Sequence, residues 1–447
     1  MGELNTSKPF QVIIVGAGIG GLVCAISSAR EGLAVKVLER APEILPIGAG
    51  IQIPPNAARI LASLDLLPKI RETAIEVQKL NFRRYEDGRL LASRKSRSHA
   101  QWFVIHRADY HQVLLDEAKR LGVEIQLNAS VKDISFEDGV VYLEDDTTLK
   151  GDVVIGGDGS LWSTTREKLL GKDSQPFQTG DLAYRGTFTL EQLEALNDPR
   201  VEELCKEPAV TVWFGPEKHC VFYPVRGGTQ FNLVLLRPDN LPQGTRTVKG
   251  DIEEMRYTFH GWDSVLTKII SCIPSVLRWK LCHHDELDTW TKGRVALLGD
   301  ACHPTLPYQA QGAAMAVEDG AILGRFLGKL FLLLQNGSIS PASEAESISR
   351  VLKLYETIRK HRTTQNVQGA ISNRHFYHLP DGPEQQKRDE EMAKHSFTTE
   401  TSEYKFLDMK YNADLLEVPV LREAGKAFDS WWSSHTEDKG EGNRSLM

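Results

Sequence analysis

Three glycines and a glutamate near the start of the chain, and an aspartate far downstream, are the first residues whose types and spacing suggest chemistry. Gly16, Gly18 and Gly21 stand in the pattern G-x-G-x-x-G within "FQVIIVGAGIGGLVCAISSAREGLAVKVLER". The first glycine allows a tight turn, the second lets backbone approach a pyrophosphate, and the third lets a helix pack closely on a strand. Amides at the start of that helix face the anion, and the helix dipole favours negative charge there. Glu39 ends the second apolar run, where a carboxylate binds a ribose hydroxyl, and Arg40 beside it is assigned to the same site. A lone glycine pattern also fits a structural turn. Strand, helix, second strand and acid in register point to a dinucleotide, and leave FAD and NAD both open. The second stretch is "GDACHPTLPYQAQGAAMAVEDG", residues 299–320. It sets a carboxylate (Asp300), two stiff prolines (Pro304 and Pro307) and a run of small residues opening a helix within a few turns of one another.

The elements that must position these groups follow from hydrophobic rhythm. Val12 to Val15 read as a buried strand, small residues open an amphipathic helix, and "AVKVLE" resumes a strand. "RRYEDGRLLASRK" carries the Asp-Gly signal of a hairpin, and "HRADYHQVLLDEAKRLG" reads as a helix with a glycine stop before the strand "VEIQL". "YLEDDTTLKGDVVIGGDG" is a hairpin leading to another buried strand. Between residues 176 and 285 the segments "AVTVWFG", "CVFYPV" and "FNLVLLR" suggest a mainly antiparallel sheet. "GRVALLGDA" returns to a buried strand followed by a helix; beyond residue 335 the chain is helical or irregular, broken at "LPDGPEQQ", with a frayed acidic tail. The expected fold is α/β. A Rossmann-type nucleotide-binding domain (1–77, 103–175 and 286–335) is interrupted by an antiparallel β-sheet substrate domain (78–102 and 176–285). A helical C-terminal extension covers 336–447.

Together, "GAGIGG", "GAGIQIPPNAARIL", "HRADYH", "GGDGSLWSTTR" and "RVALLGDACHPTLPYQAQGAAMAVEDG" resemble the single-component FAD-dependent aromatic hydroxylases. The branch is the salicylate-hydroxylase-like one of the para-hydroxybenzoate hydroxylase superfamily, of fungal type. The resemblance covers most of residues 10–330 in the family's order and spacing; the C-terminal third carries little of it. It implies FAD as cofactor, with NADPH or NADH and O2 as co-substrates and a flavin C4a-hydroperoxide delivering a hydroxyl to an electron-rich ring. It also implies roles. Asp300 accepts hydrogen bonds from ribityl hydroxyls, Pro307 lies along the isoalloxazine, and Gly312 and Ala313 present amides to its N1–C2=O edge. Arg107 reaches the phosphates, and Gly48, Ala49 and Gly50 pack under the ribose and dimethylbenzene side. Asp158 lies near the cofactor, although Asp-Gly is also a plain turn signal.

On the substrate side the same resemblance implicates Arg185 and Tyr223 on strands of the second sheet. His219, four residues before Tyr223, shares its face by period-two alternation and is a candidate proton acceptor. Half-buried packing is the alternative for both aromatic residues. Gln52 and Tyr308, with Asn56 and Gln309, are further candidate ring contacts. Some relatives carry a glutamine where this chain has Pro307, so glutamine-assisted hydroxylation does not transfer. No second glycine set is present, which implies that the nicotinamide binds transiently near the flavin. The expected substrate is a small aromatic, a salicylate-like phenolic acid or a phenol. An indole 2,3-epoxidase of secondary metabolism, a non-hydroxylating FAD oxidoreductase and a non-catalytic flavin-binding protein are the alternatives.

Composition narrows the classes. A net charge of −7 over 447 residues argues against a nucleic-acid partner, which would call for a basic patch. Six scattered cysteines without a CxxC pair read as free thiols in a reducing compartment. Cys282-His283-His284 lacks the rest of a metal ligand set, so no metal is expected. The apolar stretch "AILGRFLGKLFLLL" is interrupted by Arg325 and Lys329, the "SLM" end is no lipidation box and no signal peptide is evident. These features imply a soluble cytoplasmic protein without stable membrane insertion; a homodimer is left open.

Overall fold

The computed structural model describes residues 9–442, apart from 47, 97–99, 160–161, 175, 243–244, 246 and 396–400. The first apolar run forms strand Gln11–Val15, in which Val12 and Ile14 have no exposed surface. A strand covered on both faces requires such a continuous run in place of alternation. It lies inside a six-stranded sheet ordered Thr291–Lys292, Val295–Leu297, Val153–Gly156, Gln11–Val15, Ala34–Leu38, Glu124–Gln126. All neighbours pair in parallel except Thr291–Lys292, which turns back at the edge. Pairing of Val12 with Val153 and of Val154 with Val295 brings three distant segments into one plane.

Helices Ile19–Arg30 and Gly312–Gln335 lie against each other through small residues. A Cβ at Gly320 would stand 2.7 Å from the Cys24 nitrogen, and one at Gly324 would stand 2.4 Å from Ser27 Cβ. This close approach aligns the two helices so that both N-termini, at Gly18 and at Gly312, open on one cleft.

The second sheet has eight strands, ordered Thr247–Lys249, Leu277–His283, Phe177–Thr189, Gln230–Pro238, Lys218–Val225, Ala209–Gly215, Lys79–Arg84, Leu90–Lys95. It is antiparallel except where Ala209–Gly215 runs parallel to Lys79–Arg84, which stitches the early hairpin on to the later strands. A small three-stranded sheet pairs Gly50 with His106 and so sets the Gly48–Gly50 turn beside Arg107.

After residue 335 the chain is helical: Glu344–Tyr377, Pro383–His395, Met409–Leu416 and Val420–Gly442. The last helix extends order into the acidic tail that the sequence marks as frayed; residues 443–447 lie outside the described residues. Ala370, Phe376 and Tyr377 from the long helix and Leu407 beyond it share a core with Phe82, Val210 and Val212 of the eight-stranded sheet. Among the described residues no helix is long and apolar enough to cross a membrane.

Candidate functional site

The glycine turn is shaped by steric need. Gly16 has φ +100°, and a Cβ there would stand 2.6 Å from the Gly157 carbonyl oxygen. At Gly21 a Cβ would lie 2.2 Å from the Gly16 carbonyl oxygen, whereas nothing lies within 4 Å of one at Gly18. Gly18 therefore faces open space at the helix start, as an approaching pyrophosphate requires. The Glu39 carboxylate accepts the Ala17 N–H at 2.9 Å and the Ala41 N–H at 3.0 Å, so it braces the turn it borders. Two clefts flank the turn. One, of about 380 Å³, is bounded by Glu39, Arg40 and Asp158. The other, of about 330 Å³, is bounded by Gly18, Arg107, Asp300, Pro307, Gly312 and Ala313. They share Gly157 and Gly159, so together they form an elongated groove with an acid at one end and a helix N-terminus at the other.

That groove fits FAD by the chemistry of its donors. Helix Gly312–Gln335 has neither a side-chain cap nor an acidic residue in its first turn, which leaves its amides and positive dipole end for a ligand. Arg107 is desolvated; burial and nearby Arg185 weigh against its charge and Asp300 supports it, a setting that favours an anion. Asp300 sits in a 3₁₀ turn, Gly299–Ala301, three residues beyond the last strand residue, Leu297. Its carboxylate opens on to the cleft; burial raises its proton affinity, opposed by His303, Arg107 and Arg166. Asp158 borders the groove, but its oxygens accept the Ser163 hydroxyl at 2.7 Å and the Thr165 N–H at 3.0 Å, so it also clasps the helix that follows. Arg166, which sequence reasoning passed over, ties this segment to the Asp300 turn by donating to the Asp300 and Ala301 carbonyls, each at 3.3 Å.

A third cavity, of about 90 Å³, adjoins the second cleft and shares Gln52, Pro307 and Ala310 with it. His219 and Tyr308 line it, with an apolar floor from Phe82, Val210 and Val212. His219 Nδ1 lies 2.7 Å from His378 Nε2. Burial, reinforced by His378, holds the His219 imidazole well below its ordinary range, so it is neutral. Tyr308 donates to Asp181 at 2.5 Å, and burial beside that carboxylate raises its phenol strongly. Gln52 accepts from Trp102 Nε1 at 2.9 Å, which fixes the amide at the junction of cavity and cleft.

Other candidates fall elsewhere. Arg185 lines the cleft, exposed to it, and pairs with no acid among the described residues. Tyr223 shares the His219 face yet borders neither space; its ring presses on Gly50, where a Cβ would meet Tyr223 Cε2 at 2.5 Å. Burial raises its phenol, with Arg185 opposing. Asn232, unforeseen, accepts the Gly50 N–H at 2.9 Å and joins the two sheets at that point. Asn56 is buried away from the clefts, donating to Gln311 at 3.0 Å and Glu318 at 2.8 Å. Gln309 lines the cavity and donates to the Asn366 carbonyl at 2.8 Å. Also unforeseen are the cavity residues Arg94, Trp102 and Tyr377, and Phe406, Leu415 and Leu416 from the extension. Cys302, His303 and Asp319 bring ligand atoms within 4.8 Å of one another. The Asp319 carboxylate is already engaged by the Gly299 N–H, His303 and Arg359, which leaves a cation little to bind.

A family model described as FAD binding domain matches residues 9–370. The chain is 40% identical to the FAD-dependent monooxygenase OpS4 of Beauveria bassiana (strain ARSEF 2860), over 88% of this chain and 91% of that protein. It is 38% identical to 3-hydroxybenzoate 6-hydroxylase 1 of Aquipseudomonas alcaligenes, over 71% and 80% of the two chains. Its fold is similar to that of a salicylate hydroxylase substrate complex, with a TM-score of 0.74, 23% identity and coverage of 94% and 98%. CtdE in complex with FAD and a substrate superposes with a TM-score of 0.77 at 22% identity, covering 96% of this chain and 100% of that one.

Proposed function

Since the chain belongs to the FAD-dependent monooxygenase family, we propose that it hydroxylates a monocyclic phenol or phenolic acid, using NADH or NADPH and O2. The carrying observation is the cavity of about 90 Å³ that is lined by His219 and adjoins the glycine-lined cleft, with Gln52, Pro307 and Ala310 lining both. An apolar cavity of about 150 Å³ admits benzene. At about 90 Å³ the space is smaller than that, so a single ring would project into the adjoining cleft and a fused indole alkaloid would project further.

Bound in the cleft, FAD would supply the redox chemistry, taking a hydride from the nicotinamide and activating O2. Gly18, Glu39 and Arg40 would hold its adenosine diphosphate half, Arg107 a phosphate, Asp300 the ribityl chain, and Gly312 with Ala313 the pyrimidine edge. This chain's own residues then have three tasks. The apolar floor excludes water and fixes the ring plane. Neutral His219, on the nitrogen that does not meet His378, accepts a hydrogen bond from the phenolic hydroxyl, which polarises the O–H bond and raises electron density in the ring. Arg185, at the cleft, stabilises negative charge on the substrate or on oxygen. Arg94 is the cation that a ring carboxylate would meet at the cavity wall.

The test is to purify the protein with its flavin and follow NADH and NADPH oxidation against phenols, phenolic acids and indoles, with product and CO2 quantified. Arg185→Ala should keep FAD and lose coupled product, releasing H2O2. Coupled turnover by Arg185→Ala, or stimulation by no member of the panel, would refute the proposal.

A further inference from the structure

We propose that the end of helix Met409–Leu416 is a specificity wall: Leu415 and Leu416 set the size of the apolar substituent a substrate ring can carry, and Arg59 and Arg362 position them. This rests on reading the 90 Å³ cavity as the ring site. Leu415 and Leu416 are 8% and 6% exposed and line the cavity together with the sheet residues Val210 and Val212. Packed against them are Met315, on the first turn of the helix that starts at Gly312, and Trp102, which also lines the cavity and holds Gln52.

The wall is fixed by an uncommon device. A helix end leaves carbonyls without intrahelical partners. Here two guanidinium groups take them. Arg362 donates to the Asp414 and Leu415 carbonyls, both at 2.6 Å, and Arg59 donates to Leu416 O and to Val418 O. Arg362 is itself gripped by Glu318, with Nε and Nη2 each at 2.8 Å from its carboxylate oxygens. Glu318 is fully buried on the same helix whose first turn borders the cleft. Tyr411 anchors the near end by donating to Gln309 Oε1 at 2.9 Å. The leucines are thus registered against the Gly312 helix itself, not against the surface. A spacer that only closed the core would not need its main chain indexed to that helix; a gauge for ring substituents does. The substrate class that fits is a single-ring phenol bearing hydrogen or methyl at its far edge.

The experiment measures dissociation constants of phenol, 3-methylphenol and 3-propylphenol from the perturbation of bound-flavin absorbance, with turnover recorded separately. In Leu415→Ala and Leu416→Ala the propyl-to-phenol affinity ratio should rise about tenfold, the order expected for one or two methylenes in an apolar pocket. Leu416→Val, which removes less, should give a smaller rise. Arg59→Met and Arg362→Met should flatten the methyl-to-propyl preference while the protein retains its flavin. An unchanged ratio in both alanine variants and in Leu416→Val overturns the wall, whatever the turnover. A shifted ratio without hydroxylation overturns the proposed activity and supports the wall. Binding of no phenol overturns both.

Discussion

Gly18 and Gly21 sit three residues apart in one motif, and the structure separates their duties. Gly18 caps its helix at φ −73° and ψ 176°, a region open to alanine, and no atom lies within 4 Å of an added Cβ. In the flavin-free protein, Gly18→Ala loses roughly 0.5–1 kcal/mol at the cap and regains about 0.4–1 kcal/mol from a stiffer unfolded chain. The net change is close to zero. In the presence of FAD the new methyl group occupies the space where the pyrophosphate must approach. Loss of two charge-assisted hydrogen bonds, at about 1.5–3 kcal/mol each, weakens binding by roughly 3–6 kcal/mol. That is about two to four orders of magnitude in Kd. Gly21→Ala behaves in the opposite way. Its Cβ would collide with the Gly16 carbonyl oxygen at 2.2 Å, backbone against backbone, so the flavin-free fold itself should lose about 1–3 kcal/mol or more. The assay strips the flavin, measures the urea midpoint of each variant, then titrates FAD by quenching of its fluorescence. Wild-type FAD affinity in Gly18→Ala would show that the dinucleotide does not cross this turn. Equal destabilisation of the two flavin-free variants would refute the division of labour.

Asp300→Ala should abolish FAD retention through gel filtration yet leave flavin-free stability within about 0.5 kcal/mol, because the carboxylate serves the cleft and not the core. A destabilised flavin-free variant would make Asp300 a structural residue. Burial lowers the His378 imidazole from 6.5 to about 4, with Asp181 opposing and Arg374 adding to the fall. The unfolded chain therefore takes the proton first, and stability, full above about pH 6.5, declines as pH drops toward about 4. His378→Asn should show a shallower fall in Tm between neutral and acid pH; an unchanged fall would locate the acid sensitivity elsewhere. Arg359 lies between Glu318 and Asp319, and both carboxyls, which burial alone would raise, are held at about 2 by it together with Arg362 for Glu318 and His303 for Asp319. Arg359→Met leaves those two buried acids short of a partner and should cost about 3–5 kcal/mol in urea denaturation. A loss under 1 kcal/mol would mean that water reaches the pair.

What the sequence discloses is what short-range order encodes. The glycine turn, Glu39 and the Asp300 stretch are legible because each is a local element whose geometry follows from a few adjacent residues. The alternation of His219 and Tyr223 gives their common face correctly, but not which of them reaches the cavity. That depends on the Gly50 turn, which presses on Tyr223 and binds Asn232 across a separation of 182 residues. The parallel pairing of Ala209–Gly215 with Lys79–Arg84 likewise has no local signature. Leu415, Leu416 and Phe406 read as ordinary apolar positions of a charge-rich tail. Only the packed chain turns them toward the cavity that His219 lines. Asp158 shows the converse case: its sequence context fits a turn and a cofactor contact equally, and its hydrogen bonds display the turn.

The six-stranded sheet has a consequence for biosynthesis. Its central strand, Gln11–Val15, is made well before its partners: one neighbour waits for Val153 and the next for Val295, and the second helix of the cleft begins at Gly312. A nascent chain therefore emerges with its opening hydrophobic strand half-sheltered while about two hundred and eighty further residues are added, roughly tens of seconds at ribosomal speed. Flavin cannot act as a template for the early fold, because its berth does not exist until the helix that begins at Gly312 has been made. Slow codons or chaperone engagement before that point would affect solubility, and added riboflavin would not rescue it.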